Sequence, residues 1–238
     1  MKSLLVLRRK RVLIKMKENE TKMSKKPWPT KDAMEQVYAM KLWGSNDSEF
    51  YSGIGSHHPE IVEPYLDVLK EFFTSFKKPL VVCDLGCGDF NVGKELVNYS
   101  EKYIAVDIVA DLIAHNREKF KEENLEFRCL DIAVDDLPSG DCAILRQVLQ
   151  HLSNVEIQRI VEKLADFKYV ILTEHLPEAD FVPNKDIISG QGIRLKKASG
   201  LDLLAPPFNF KIKDEKQLVS VPLNEGKGII VTTLYTIF

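Results

Sequence analysis

The chain reads as an α/β protein with a mostly parallel, seven-stranded sheet whose last strand runs antiparallel, preceded by a helical N-terminal segment. Three observations carry this. Short apolar runs alternate with stretches of helical periodicity from Leu80 to Thr173, and alternation at that spacing produces parallel strands joined by helical crossovers. The first run, Leu80 to Cys83, breaks at a turn holding Gly86 and Gly88, the strand, tight loop and helix start in which backbone closes around a nucleotide. The last two runs, Phe210 to Val221 and Ile229 to Phe238, are separated by Asn224-Glu225-Gly226-Lys227-Gly228, a turn signal that pairs them antiparallel at the sheet edge.

Length and charge narrow the classes before any motif is read. A chain of 238 residues, 45% of them hydrophobic, buries one substantial core, so one domain is expected. The net charge of −2 is unevenly spread: residues 1–26 hold ten Lys or Arg against two Glu, which leaves −10 on the remainder. An acidic body disfavours tracking a phosphate backbone, so no nucleic-acid partner is expected. Cys83, Cys87, Cys129 and Cys142 fall in or beside the predicted central strands without a C-x-x-C pair. They read as small core residues in a reducing, cytoplasmic setting, and no metal is expected. No run approaches the roughly 18 apolar residues that a membrane span needs.

Residues 1–29 form a basic arm in which Leu4 to Leu7 is followed by Arg8, Arg9, Lys10 and Arg11. That order is the reverse of a signal peptide's, and the segment reads as a solvated arm, with attraction to an anionic membrane surface as the alternative. Pro27-Trp28-Pro29 ends it, because proline fixes its own φ and restricts its predecessor. Thr30 then caps a helix running to about Leu42, and an aromatic, glycine-punctuated loop spans Trp43-Gly44 and Phe50 to Pro59. Glu60 to Phe76 is a helix with Ile61, Tyr65, Val68, Leu69, Phe72 and Phe73 on one face. The alternation after it is Leu80–Asp84, helix 91–99, Tyr103–Asp107, helix 111–121, Phe127–Asp131, Cys142–Arg146, helix 154–165 and Tyr169–Thr173.

Asp84 decides which nucleotide the loop suits. A carboxylate two residues ahead of Gly86 would repel the pyrophosphate of a dinucleotide, whereas a ligand carrying an ammonium and a sulfonium is attracted by it. Asp107 closes the second strand 23 residues after Asp84, close to the roughly 20 expected of a ribose-binding acid. Asp131 closes the third. The plain alternative for all three is helix capping. With this loop and these acids the chain resembles the class I S-adenosylmethionine-dependent methyltransferases, whose loop reads [DE]-x-G-x-G-x-G; Phe90 stands where the third glycine belongs.

The resemblance implies a Rossmann-like class I methyltransferase fold, with residues 30–78 as a helical lid and 79–238 as the cofactor-binding domain. It implies S-adenosylmethionine as cofactor, held by Asp84, Gly86, Cys87, Gly88, Asp89, Phe90, Asp107, Ile108, Asp131, Ile132, Arg146 and Gln147. Trp43 and Tyr51 in the lid would face the sulfonium, which aromatic rings attract, or simply pack the lid down. His57 and His58 are adjacent, so at most one faces inward.

Ligands of such sheets bind outside the carboxyl ends of the strands. After the fourth strand the [DN]-P-P-[YF] motif of nucleic-acid and amide N-methyltransferases is absent, and Val148-Leu149-Gln150-His151-Leu152 looks like the V-L-x-H-L of small-molecule enzymes. His151 is therefore the first candidate general base, against the reading of a packed histidine. Glu174 and His175, after the fifth strand, are further candidates, and Arg146 suits an anionic substrate or the cofactor carboxylate. The long loop before the closing strands, with Asn184-Lys185-Asp186-Ile187, Arg194 and Pro206-Pro207-Phe208, reads as a substrate wall. Those motifs, with Trp43-Gly44 and Cys87-Gly88-Asp89-Phe90, are similar to methyltransferases encoded with capsular and cell-surface polysaccharide enzymes. The expected function is O-methylation of a sugar or polysaccharide precursor. A protein or nucleic-acid methyltransferase and a non-catalytic cofactor-binding module are the alternatives.

Overall fold

The computed structural model describes residues 27–224 and 226–238; the basic arm up to Lys26 lies outside them. Seven strands form one sheet: β1 (Val81–Leu85), β2 (Lys102–Asp107), β3 (Leu125–Cys129), β4 (Cys142–Arg146), β5 (Tyr169–Leu176), β6 (Asp214–Pro222) and β7 (Ile229–Thr236). Their order is β3-β2-β1-β4-β5-β7-β6. β1 pairs parallel with both β2 and β4, β5 continues the parallel set beside β4, and β7 runs antiparallel between β5 and β6. The strand order therefore reverses at β1, and Asp84, opposite both Ala105 and Ile144, stands at the switch point where such sheets open a crevice.

The central strands are buried on both faces, which is why they read as unbroken apolar runs. On one face Cys83, Leu85, Val106 and Leu145 pack against Ile157, Ile160 and Leu164 of α4 (Asn154–Leu164) and against Leu203 and Phe208 of the loop before β6. On the other, Val82, Tyr103 and Ile144 meet Tyr65, Leu69 and Phe73 of α2 (Pro59–Thr74). α1 (Thr30–Ala39) lies apart from both, its Met34 packed with Val109 and Leu112 of the β2–α3 corner. α3 is Ala110–Lys119. Among the described residues no helix is long and apolar enough to cross a membrane.

Four expectations shift. The predicted helix 91–99 is a pair of 3₁₀ turns, Gly93–Glu95 and Val97–Tyr99, closed by Leu96 N to Gly93 O at 2.9 Å and Ser100 N to Val97 O at 3.1 Å. Gly93 lies against the Phe90 ring and the Asp84 carboxylate, so the chain is drawn in too tightly for an α-helix. β3 starts at Leu125 and ends at Cys129, so Asp131 sits in the turn beyond it. β6 begins at Asp214 rather than Phe210 and carries a bulge between Gln217 and Val219. α1 stops at Ala39, where Lys41 turns left-handed at φ 51°, and Thr30 is its first residue rather than its cap; the Thr30 hydroxyl donates instead to Glu156.

Candidate functional site

A cavity of about 360 Å³ opens outside the carboxyl ends of β1, β2 and β4, roofed by α1 and by residues 52–56. Its floor is the glycine loop. The amides of Gly86 and Cys87 both donate to the carbonyl of Val106, at 2.8 and 2.9 Å, which fastens the loop to β2. Gly86 (φ 92°) and Gly88 (φ 57°) take left-handed conformations, and a Cβ on either would run into Val148 or Ser52. Backbone and lid approach each other here more closely than any side chain permits.

Asp107 is built into this floor. Its Oδ2 accepts the Gly88 amide at 3.0 Å and its Oδ1 the Val109 amide at 3.1 Å, while burial raises its carboxyl above the usual range. Asp84 also lines the cavity. Its Oδ2 accepts the Tyr103 hydroxyl at 2.9 Å, and burial pushes its carboxyl up to about 7 against the opposing pull of that bond and of Arg146. Asp131 lines the far end with Ile132, its Oδ1 accepting the Ala133 amide at 2.9 Å. Cys87, Ile108, Arg146, Gln147, His151 and Trp43 complete the expected residues that reach the cavity.

Asp89 and Phe90 do not line it. Phe90 adopts the left-handed conformation, φ 60°, that the third glycine would have taken, and sends its ring into the core, where Phe127, Phe120 and Tyr103 stand edge-on with centroids 4.9, 5.1 and 5.8 Å away. Left-handed backbone costs an L-residue roughly 1–2 kcal/mol, and burying an aromatic ring stabilises by about 1.5–3 kcal/mol, so the packing holds the strained turn. Asp89 faces the lid instead. Its Oδ2 accepts the Ser52 amide at 2.8 Å and contacts His57 Nε2 at 2.6 Å, and the Tyr51 ring covers His57 at 4.5 Å. Tyr51 and His57 thus hold the 52–57 segment from outside the cavity, the packing alternative for Tyr51 rather than the one facing the sulfonium.

At the end of β4, Arg146 donates to the carbonyl of Gly55 and to Ser56 Oγ, with its guanidinium 4.9 Å from the centre of the Tyr65 ring. Gln147 is left-handed at φ 57°, and its amide donates to Thr173 O at 2.7 Å. Among the described residues, Arg146 Nε and Gln147 Nε2 are buried donors without a partner. A 3₁₀ turn, Leu149–His151, follows. The His151 ring lies 5.1 Å from that of Trp43. Its Nδ1 is 3.2 Å from Gly190 O and its Nε2 is 3.3 Å from Gln150 Nε2. Because Gln150 Oε1 accepts the His175 amide at 3.1 Å, its Nε2 must be the group facing His151. That fixes the tautomer: Nδ1 carries the proton and Nε2 the lone pair. Burial pushes the imidazole down to about 4.

Glu174, His175 and Arg194 stand outside the cavity, a correction to their reading as base and substrate residues. Glu174 is buried in β5, its carboxyl pushed up to about 8 by burial against the pull of Arg194 and of the Leu149 and Gln150 amides. His175 Nε2 is 2.6 Å from Lys227 O in the β6–β7 turn. Arg194 is buried beneath the Leu149–Leu152 turn.

Sequence reasoning missed Tyr38, Ser52, Gln150, Glu156, Gln191, Ile193 and Lys196, all of which line the cavity. Glu156 accepts from Thr30, Ser153 and Ser189, joining the start of α1, the start of α4 and the loop after β5. The Ser153-x-x-Glu156 spacing is a legible capping signal; its two distant partners are not. Among the described residues no group of three or more His, Cys, Asp or Glu is placed to hold a metal ion.

Residues 82–167 match the family profile described as "Methyltransferase domain". The match covers a little over a third of the chain. It contains the glycine loop, Asp84, Asp107, Asp131 and His151, whereas the lid, the loop after β5 and the strands β6 and β7 lie beyond the match. The domain is similar to a malonyl-[acyl-carrier protein] O-methyltransferase of Acetivibrio thermocellus, 30% identical over 100 residues, 41% of this chain and 34% of that protein. The match thus spans about a third of that relative's length. Among solved structures, the N-methyltransferase NodS of Bradyrhizobium japonicum, in complex with S-adenosyl-L-homocysteine, superposes with a TM-score of 0.62 at 10% identity, covering 86% of this chain and 99% of that one. The 1,6-didemethyltoxoflavin-N1-methyltransferase of Burkholderia thailandensis gives 0.57 at 16% identity, covering 87% of each chain. At these identities the two structures establish that the methyltransferase fold is shared.

Proposed function

We propose that the chain is an S-adenosylmethionine-dependent methyltransferase acting on a small molecule, with a hydroxyl of a sugar or polysaccharide precursor as the acceptor. The observation that carries the first part is the cavity itself: Asp84, Asp107 and Asp131 converge on one space at the switch point of the sheet, a set that suits a cationic nucleoside and repels a pyrophosphate. The residues fit the cofactor. Asp107 keeps acceptor capacity for ribose hydroxyls, Asp131 lies where an adenine edge would pass, and the unpartnered Arg146 Nε and Gln147 Nε2 match a carboxylate. When bound, S-adenosylmethionine supplies an activated methyl group on a sulfonium.

What this chain contributes is alignment, exclusion of water and a proton acceptor. Of the segment 30–78 expected as the lid, α2 packs on the sheet and residues 30–56 act as the lid, held shut by Ser52 on Asp89, by Arg146 on Gly55 and by Thr30 on Glu156. His151, neutral at ordinary pH and protonated on Nδ1, presents the Nε2 lone pair, to which the acceptor hydroxyl would pass its proton as its oxygen takes the methyl group and the methyl–sulfur bond breaks to leave the neutral thioether. The sugar reading is supported by that lone pair and by the polar wall of Gln150, Gln191 and Lys196.

Calorimetry with S-adenosylmethionine, S-adenosylhomocysteine and NAD tests the cofactor. A methyl-transfer screen over nucleotide sugars, with free carboxylic acids and amines as comparisons, tests the acceptor. Binding of NAD alone would sink the first reading, and transfer confined to amines or acids would sink the second.

A further inference from the structure

The motif residues of the loop after β5 do not touch the cavity, yet they are among the most heavily bonded side chains in the protein. Asn184 folds the loop onto itself: its Nδ2 donates to Asp202 O at 2.7 Å and Pro206 O at 2.9 Å, and its Oδ1 accepts the Asp202 amide at 2.9 Å. Asp186 Oδ1 accepts the Asn154 amide at 2.7 Å, fixing the loop to the start of α4. Arg194, 2% exposed, reaches under the turn that carries His151. Its Nη1 donates to Leu149 O at 3.1 Å, and its Nη2 to Leu152 O at 2.8 Å and Asn154 Oδ1 at 2.7 Å. Glu174, buried on β5, makes no hydrogen bond to Arg194 among the described residues. Gly190 closes the loop over the same turn, its amide donating to His151 O at 3.0 Å and its carbonyl facing His151 Nδ1.

We propose that Arg194 is a positioning residue that locks the Leu149–Leu152 turn to the Ser189–Lys197 loop and so fixes the His151 ring against Trp43 at the acceptor end of the cavity. The role of that end rests on the functional reading above. The turn is held within itself only by His151 N to Val148 O and Leu152 N to Leu149 O, each 3.0 Å, too little to set a ring's direction. Carbonyls of a short turn point several ways. A planar guanidinium serves them at fixed angles, which an ammonium on a flexible stem does not. A buried guanidinium is a poor source of stability, because desolvation offsets its attraction; what it supplies here is geometry.

The test needs a reporter of the turn that does not depend on activity. The chain has two tryptophans, and Trp28 is exposed, so in a Trp28→Phe background Trp43 reports on its contact with His151. Arg194→Lys in that background should change the Trp43 emission and lower turnover about tenfold or more, while S-adenosylhomocysteine affinity stays within about twofold. Asn154→Ala, which removes one Arg194 acceptor, should move the emission in the same direction by less, and serves if Arg194→Lys does not fold. Unchanged Trp43 emission in a folded variant overturns the proposal, whatever turnover does. A wild type that binds neither form of the cofactor and transfers no methyl group sinks the functional reading instead, and the emission still decides this one.

Discussion

Ser52 and Asp89 hold each other reciprocally: the Ser52 amide donates to Asp89 Oδ2 and the Asp89 amide donates to Ser52 Oγ, both at 2.8 Å. One residue is in the lid and the other in the glycine loop, so the roof and floor of the cavity are joined at this pair. Asp89 also takes His57 at 2.6 Å and the Asn91 amide at 3.2 Å.

Asp89→Ala should therefore open the lid. Hydrogen bonds to a charged group contribute about 1.5–3 kcal/mol each, and the loss of two across the seam should weaken S-adenosylhomocysteine binding roughly tenfold or more and speed proteolysis between residues 43 and 57. Calorimetry and limited digestion check this, and unchanged behaviour in both would show that the lid is held elsewhere.

Asp107→Ala removes the predicted ribose acceptor and two loop contacts together. The expected loss in cofactor affinity is about tenfold to a hundredfold, from charge-assisted bonds of about 1.5–3 kcal/mol. Asp107→Asn keeps the shape and should lose less. Equal affinity for all three proteins would place the ribose away from β2.

His151→Ala should lower turnover by about 10²–10⁴, the usual contribution of a positioned base, with cofactor affinity almost intact. Because burial holds the imidazole near 4, the acid limb of the wild-type turnover profile should fall near that value rather than near 6.5. Full turnover in the variant would make His151 a packing residue and direct the search to acceptors that need no base.

Glu174→Gln tests a buried acid by its sign. The carboxyl titrates at about 8 in the folded protein against 4.5 ordinarily. The folded state binds its proton more tightly, so the stability it contributes is complete below about 4.5 and is lost as pH rises through about 8. The variant lacks this loss. Between about pH 5 and pH 9 its melting temperature should gain on the wild type, by up to a few kcal/mol in stability; a constant difference would mean that Arg194 keeps Glu174 ionised throughout.

Phe90→Gly asks which of two opposed effects wins. Glycine relieves a left-handed strain of about 1–2 kcal/mol, but removing a buried ring costs about 3–5 kcal/mol. A net loss of roughly 1–4 kcal/mol is expected in denaturant unfolding, and a more stable variant would show that the ring is poorly packed.

Much of the fold was legible because its signals are local. The runs from Leu80 to Cys83 and from Cys142 to Leu145 are apolar on every residue because both faces of a parallel sheet are covered, and Asp107 ends β2 one crossover after Asp84, although that crossover is two 3₁₀ turns rather than the expected helix. Gly86 and Gly88 were legible for a similar reason: their left-handed backbone is a property of their own positions. The chain alone therefore determined the succession of strands along it, the glycine loop at the floor of the cavity and the three acids that line it.

The tertiary structure decided which way the remaining groups face. Phe90 keeps a glycine's backbone only because Phe120, Phe127 and Tyr103 receive its ring. His57 turns outward to Asp89 and Tyr51 packs on its ring, and Arg194 reaches the carbonyls of the His151 turn from a loop some 40 residues further along the chain. Lid residues such as Ser52 join the site through partners that no spacing announces. A side chain's direction is settled by the partners that satisfy it, and partners brought together by the closing of the sheet have no fixed interval in the sequence.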